Sequence, residues 1–138
     1  MERAFNKNQL YTIAVEQKAN SRNSTLETNS PLDGTNLVSV RTRRTKAGAK
    51  TLQGKNLIAD TNFDAAFLVL KASGTTEVVK VPLWHIEQAS LQTPHIGFPL
   101  YVAGLNVSTS YIEVGEGVTL DVGNFFELTF EFFDTKKK

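Results

Sequence analysis

The sequence predicts an all-β domain built as an antiparallel β-sandwich. Three observations predict it. Apolar and polar residues alternate with a two-residue period in several short runs, most clearly at Phe125 to Phe133. No helical periodicity runs longer than about two turns. Turn residues recur at short intervals between the runs, as they do where many strands are linked by tight connections.

The runs follow in order. Leu10 to Val15 (L-Y-T-I-A-V) is rich in β-formers. The next stretch, residues 20–36, is polar, with Asn, Ser, Thr, Pro31 and the turn pair Asp33-Gly34; its large apolar residues are Leu26 and Leu32. It is long for an inert connection, so it is expected to be an N-terminal arm or long loop that gains order from a partner. Leu37 to Arg43 alternates, with Val38, Val40 and Thr42 facing one way and Ser39, Arg41 and Arg43 the other. Phe63 to Leu70 is apolar on nearly both faces and suits a central strand. Ser73-Gly74 turns the chain into Glu77 to Val81, and Pro82, with no N–H to donate, ends that strand's ladder. Leu83 to Ala89 reads as about one helical turn, and residues 92–99 as a loop with Pro94, Gly97 and Pro99.

Leu100 to Ala103, Tyr111 to Val114 and Val118 to Val122 follow as short strands between glycines. Phe125 to Phe133 closes the set, with Phe126, Leu128, Phe130 and Phe132 on one face and Glu127, Thr129 and Glu131 on the other. Eight strands in one domain of 138 residues fit an eight-stranded single jelly roll, with an immunoglobulin-like sandwich as the rival.

Composition narrows the chemistry. An apolar fraction of 41% and a charged fraction of 21% are ordinary for a globular chain, which at this length buries roughly two-thirds of its unfolded surface. With no cysteine there is no disulfide frame, thiolate nucleophile or Cys-type zinc site. No apolar run approaches the ~20 residues of a bilayer span, and Met1 to Lys7 lacks the apolar core of a signal peptide, so the protein is expected to be made in the cytoplasm and not exported by the usual route. Net charge is +1 but unevenly spread: residues 1–58 hold ten Lys/Arg and four Asp/Glu, whereas residues 59–134 hold two and ten.

The most distinctive local feature is the basic segment 41–55, in which Arg41, Arg43, Arg44, Lys46, Lys50 and Lys55 stand without one acid. Three readings stay open for it: a solvated loop or strand edge, contact with an acidic neighbouring subunit, or phosphate in nucleic acid or lipid headgroups. No aromatic residue interleaves the cations, so base stacking has no platform there and nucleic acid is the less favoured partner. The lysine tail 136–138 reads as a solvated terminus or a weak tether.

No catalytic set emerges, and the chain is expected not to be an enzyme and to need no cofactor or metal. The two histidines, His85 and His95, match no zinc spacing, and no G-x-S-x-G is present. Asp60, Asp64, Glu113, Glu116 and Asp121 offer oxygen ligands without the ligand order of an EF-hand. Glu127 and Glu131, four apart on a strand, stand roughly 13 Å from each other, beyond the ~5–9.5 Å of paired glycosidase carboxylates. Trp84, Tyr101 and Tyr111 offer aromatic faces for sugar stacking, which makes a non-catalytic β-sandwich module for carbohydrate or another surface ligand the alternative function.

The layout resembles that of small single jelly-roll minor capsid proteins, especially the penton-type proteins of icosahedral, membrane-containing bacteriophages. The segments that carry the resemblance are T-L-Q-G-K-N-L-I (51–58), F-D-A-A-F-L-V-L-K (63–71), E-V-V-K-V-P-L (77–83), S-Y-I-E-V (110–114) and F-F-E-L-T-F-E-F-F (125–133), after a polar arm. The resemblance implies a structural subunit of the virion capsid, a homopentamer at the vertices that meets other capsid proteins and a spike or internal membrane. It implies no active site and carries no residue roles. A ring in which the basic segment of one copy meets the acidic second half of the next would suit it.

Overall fold

A strand with one apolar face needs a second layer to cover that face, and this requirement organises the chain. The computed structural model describes residues 8–26, 31–42, 50–51, 54–74, 78–93 and 95–133. It contains strands β1 (Gln9–Glu16), β2 (Asn23–Thr25), β3 (Asn36–Thr42), β4 (Ala66–Lys71), β5 (Val78–Pro82), β6 (Phe98–Val102), β7 (Tyr111–Val114) and β8 (Phe125–Phe133). Two helices, α1 (Asp60–Asp64) and α2 (Leu83–Gln92), join them. The strands form two four-stranded antiparallel sheets, ordered β1-β8-β3-β6 and β2-β7-β4-β5. The all-β sandwich expected from the sequence is therefore what the chain forms. The pairing is nested: β1 meets β8, β2 meets β7, β3 meets β6 and β4 meets β5.

The core lies between the sheets. Phe126, Leu128, Phe130 and Phe132 of β8 are buried in one cluster with Leu68 and Leu70 of β4 and Ile112 and Val114 of β7. Each such side chain contributes about 1.5–3 kcal/mol relative to exposure. β8 has a hydrogen-bonded neighbour on each side, β1 and β3, so its polar residues also lie on a sheet face and not at an edge.

Several elements differ from the sequence reading. The polar stretch 20–36 is no free arm in its described part. Asn23–Thr25 pairs with β7, and Leu26 and Leu32 are buried in the core. β2 supplies the eighth strand; Val118 to Val122, expected in that role, is a loop. Its polar groups are met by side chains and by the region of α1: Asp121 Oδ2 accepts from the Ala59 N–H at 2.8 Å, and the Thr119 carbonyl accepts from Asn62 Nδ2 at 3.0 Å. Gly117 and Gly123, at φ +100° and +89°, turn the chain on either side of it.

Phe63 belongs to α1, and the strand expected from residue 63 starts at Ala66. The expected single turn after Pro82 is a ten-residue helix that buries Leu83, Ile86 and Glu87 and leaves Trp84 and His85 exposed. It packs on β3 and β6 and closes one side of the sandwich, where the chain passes from the second sheet to the first. The expected alternation of β3 is broken by a bulge. Leu37 pairs with Phe132 and Ser39 with Glu131, leaving Val38 as the extra residue. That shift puts both Leu37 and Val40 on the core side, three positions apart.

Replacing Phe130 by Ala should cost about 3–5 kcal/mol, because it removes a fully buried ring and leaves a cavity. Val122→Ala, in the exposed loop, should change stability by less than about 0.5 kcal/mol. Urea denaturation of the two variants checks the strand and loop assignments together.

Candidate functional site

The candidate surface read from the sequence is the basic segment, and the structure divides it. Arg43, Arg44 and Lys46 lie outside the described residues. Arg41, Lys50 and Lys55 are described, and they sit in different settings.

Arg41 lies on the outer face of the first sheet, opposite Thr129 of β8. Its Nη2 donates to the His95 carbonyl at 2.7 Å and stands 3.6 Å from Glu131 Oε1. The side chains of Arg41 and Glu131 are only 17% and 22% exposed. Glu131 is shared further, since Oε2 accepts from Asn8 Nδ2 at 2.9 Å and Oε1 from Ser39 Oγ at 3.0 Å. A polar strap thus crosses the sheet from Asn8, just before β1, through Glu131 and Arg41, to the turn before β6. The stem of Arg41 passes over Gly97, where a Cβ would come within 2.8 Å of Arg41 Cγ and 3.2 Å of the Val40 carbonyl oxygen. Gly97 also has φ +78°, which other L-residues rarely adopt.

Lys50 and Lys55 flank a tight turn. Lys50 and Asn56 form an antiparallel bridge, the Thr51 N–H donates to the Lys55 carbonyl at 2.8 Å, and Gly54 supplies φ +84°. Both lysines are exposed. Lys50 Nζ donates to Asn56 Oδ1 at 2.7 Å, and Lys55 Nζ lies 5.9 Å from the centre of the Phe125 ring. These two are exposed on a turn, whereas Arg41 is engaged on the face of its own sheet.

The acidic half is also partly engaged. Glu113 pairs with Lys80 at 3.2 Å, Asp121 caps Ala59 and accepts from Asn124, and Glu87 and Glu127 are buried. Asp60, Asp64 and Glu116 are exposed. Among the described residues, no three of His, Cys, Asp or Glu gather where they would hold a metal ion. His85 and His95 are both exposed; His85 meets the edge of Trp84 at 4.0 Å between ring centres, and the His95 carbonyl serves Arg41. The three aromatic residues considered for sugar stacking fall on α2, β6 and β7, and Tyr111 is half-buried. No described helix is long and apolar enough to cross a membrane.

Two features escaped the sequence reading. Glu131 was expected only on the polar face of the last strand, and Gly97 only in a loop. No local pattern links either to Arg41, because sheet pairing alone brings them together. A groove also opens beside β1, lined by residues 11–16 with Lys18, Thr25 and Phe125. In comparisons with family models, curated proteins and solved structures, nothing matches this chain.

Arg41→Ala should destabilise the fold by about 1.5–3 kcal/mol, since it removes a charged hydrogen bond and takes the cation away from the half-buried Glu131. Lys50→Ala and Lys55→Ala should stay within about 0.5 kcal/mol. Gly97→Ala should cost about 1–3 kcal/mol through positive φ and the contact with Val40. Chemical denaturation of the four variants tests the division of the segment.

Proposed function

We propose that the chain is a single jelly roll serving as a structural virion protein, a minor capsid, penton-type subunit that self-associates at icosahedral vertices and contacts neighbouring capsid proteins. The observation that carries this reading is the nested strand pairing. Rolling one long hairpin of eight strands into a sandwich pairs first with last, second with seventh, third with sixth and fourth with fifth. The orders β1-β8-β3-β6 and β2-β7-β4-β5 fit such a roll. The step from this fold to a shell is one of analogy, since the same scaffold hosts other functions.

Surface chemistry supports contact between subunits. Val78, Trp84, Leu91, Ile96 and Tyr101 are exposed and lie on β5, α2, β6 and the connection between the last two. These elements are neighbours in the fold, with α2 packed beside both β5 and β6, and an exposed apolar patch marks a protein contact surface. With Arg41 tied into its own sheet, this run adds an apolar ring contact to the one proposed for the basic segment. Trp84 and Tyr101 also suit the alternative of a carbohydrate-binding module, and a glycan-array screen separates the two.

Light scattering on the purified chain should give a species of five times 15.2 kDa. Leu91→Asp with Tyr101→Asp should shift it to the mass of one chain while the circular dichroism spectrum stays unchanged. A wild-type protein that remains a monomer at high concentration overturns the shell reading.

A further inference from the structure

Two open sheets have four edge strands, here β1, β6, β2 and β5. A bare edge invites pairing with another chain, and proteins blunt it with prolines, charges, short strands or covering elements. Three of these edges are blunted. β2 is three residues long. β5 carries Lys80 and ends in Pro82. β6 contains Pro99 and lies beside α2. β1 is different: it is eight residues long, and Leu10 to Val15 holds no proline and no charge. Leu10 is 60% exposed, and the groove runs along this strand.

The hydrogen-bond phase of β1 fixes which groups point outward. Phe125 sits opposite Glu16, but its N–H goes to the Asn56 carbonyl and its carbonyl takes the Ile58 N–H, each at 2.9 Å on the side away from β1. Glu16 and Phe125 are therefore a non-hydrogen-bonded pair, and by alternation so are Ala14, Thr12 and Leu10 with their partners. The Thr12 and Thr129 hydroxyls lie 2.8 Å apart, as the closer side-chain spacing of such a pair allows. Leu10, Thr12, Ala14 and Glu16 thus turn their backbone N–H and C=O groups to the free edge, and among the described residues none of these groups has a backbone partner there.

We propose that this edge docks against β1 of a second copy, antiparallel about a two-fold axis at Thr12. That register places Thr12 opposite Thr12 and the exposed Leu10 opposite the small Ala14, so large meets small on both sides of the axis. It also places every outward-facing group in a hydrogen-bonded pair and sets Glu16 opposite the neutral Asn8, with no like charges facing. An isologous contact is self-complementary in this way. The inference rests on the self-association reading above. A two-fold contact does not close a ring of five, so it joins one ring to another, face to face, through surfaces other than the β5–α2–β6 run.

The test is light scattering across a concentration series on the full chain, its Leu10→Lys variant and its Thr12→Pro variant, with circular dichroism as the check of folding. Leu10→Lys changes an exposed side chain, and Thr12→Pro removes an N–H that the β1–β8 ladder does not use. The wild-type protein should double in mass as concentration rises, from five chains to ten or from one to two, and both variants should lose the two-fold step. Variants that double like the wild type overturn the edge contact and leave self-association standing. A wild-type ring of five that never doubles does the same. A wild-type monomer at every concentration overturns both readings.

Discussion

The structure depends on the alternating face of β8. Its aromatic and leucine side chains at 126, 128, 130 and 132 cannot be covered by their own sheet, so a second sheet must lie across them. Its backbone is paired on both sides, which locks the register of β1 and β3 to the same alternation. A slip by one residue would turn four large apolar groups to the outer surface and Glu127, Thr129 and Glu131 into the core. The bulge at Val38 is one consequence, since it brings Leu37 and Val40 into phase with Phe132 and Phe130.

The outer face of that sheet is held differently. Its polar groups are only partly wet, so each needs a partner on the sheet itself. Glu131 is shared by Asn8, Ser39 and Arg41, and Thr12 meets Thr129 across the strands. At 41 a single guanidinium nitrogen, Nη2, donates to the His95 carbonyl and stands beside the Glu131 carboxylate, so the cation is held from two sides. The geometry of the turn before β6 follows from this contact, with Gly97 leaving room for the Arg41 stem.

Legibility in the sequence tracked the length of each signal. Phe125 to Phe133 and Tyr111 to Val114 carry their own period, and both strands fall where that period puts them. β2 has three polar residues and no period to read; it is a strand because β7 lies beside it. Val118 to Val122 alternates as a strand would, yet Val118 and Leu120 pack against the core from a loop in which the Thr119 carbonyl accepts from the Asn62 side chain and the Asp121 carboxylate from the Ala59 N–H, with no strand beside it among the described residues. Phe63 looked continuous with β4 because a buried helical turn and a buried strand are equally apolar. The candidate surface was legible only as composition. Which cation is exposed and which is spent inside the sheet depends on partners far away in the chain.

The nested pairing also sets an order in time. The first sheet has the last strand at its heart, so β1 waits for β8 through the synthesis of almost the whole chain. The pair β4–β5 closes over a short connection and is complete well before that, whereas β4–β7 waits for residues 111–114, shortly before β8. Folds dominated by such end-to-end contacts close slowly, in roughly milliseconds to seconds. Until then the nascent chain carries half of its core uncovered. Any truncation that removes the final aromatic run therefore strands the first half of the protein with no template to fold upon.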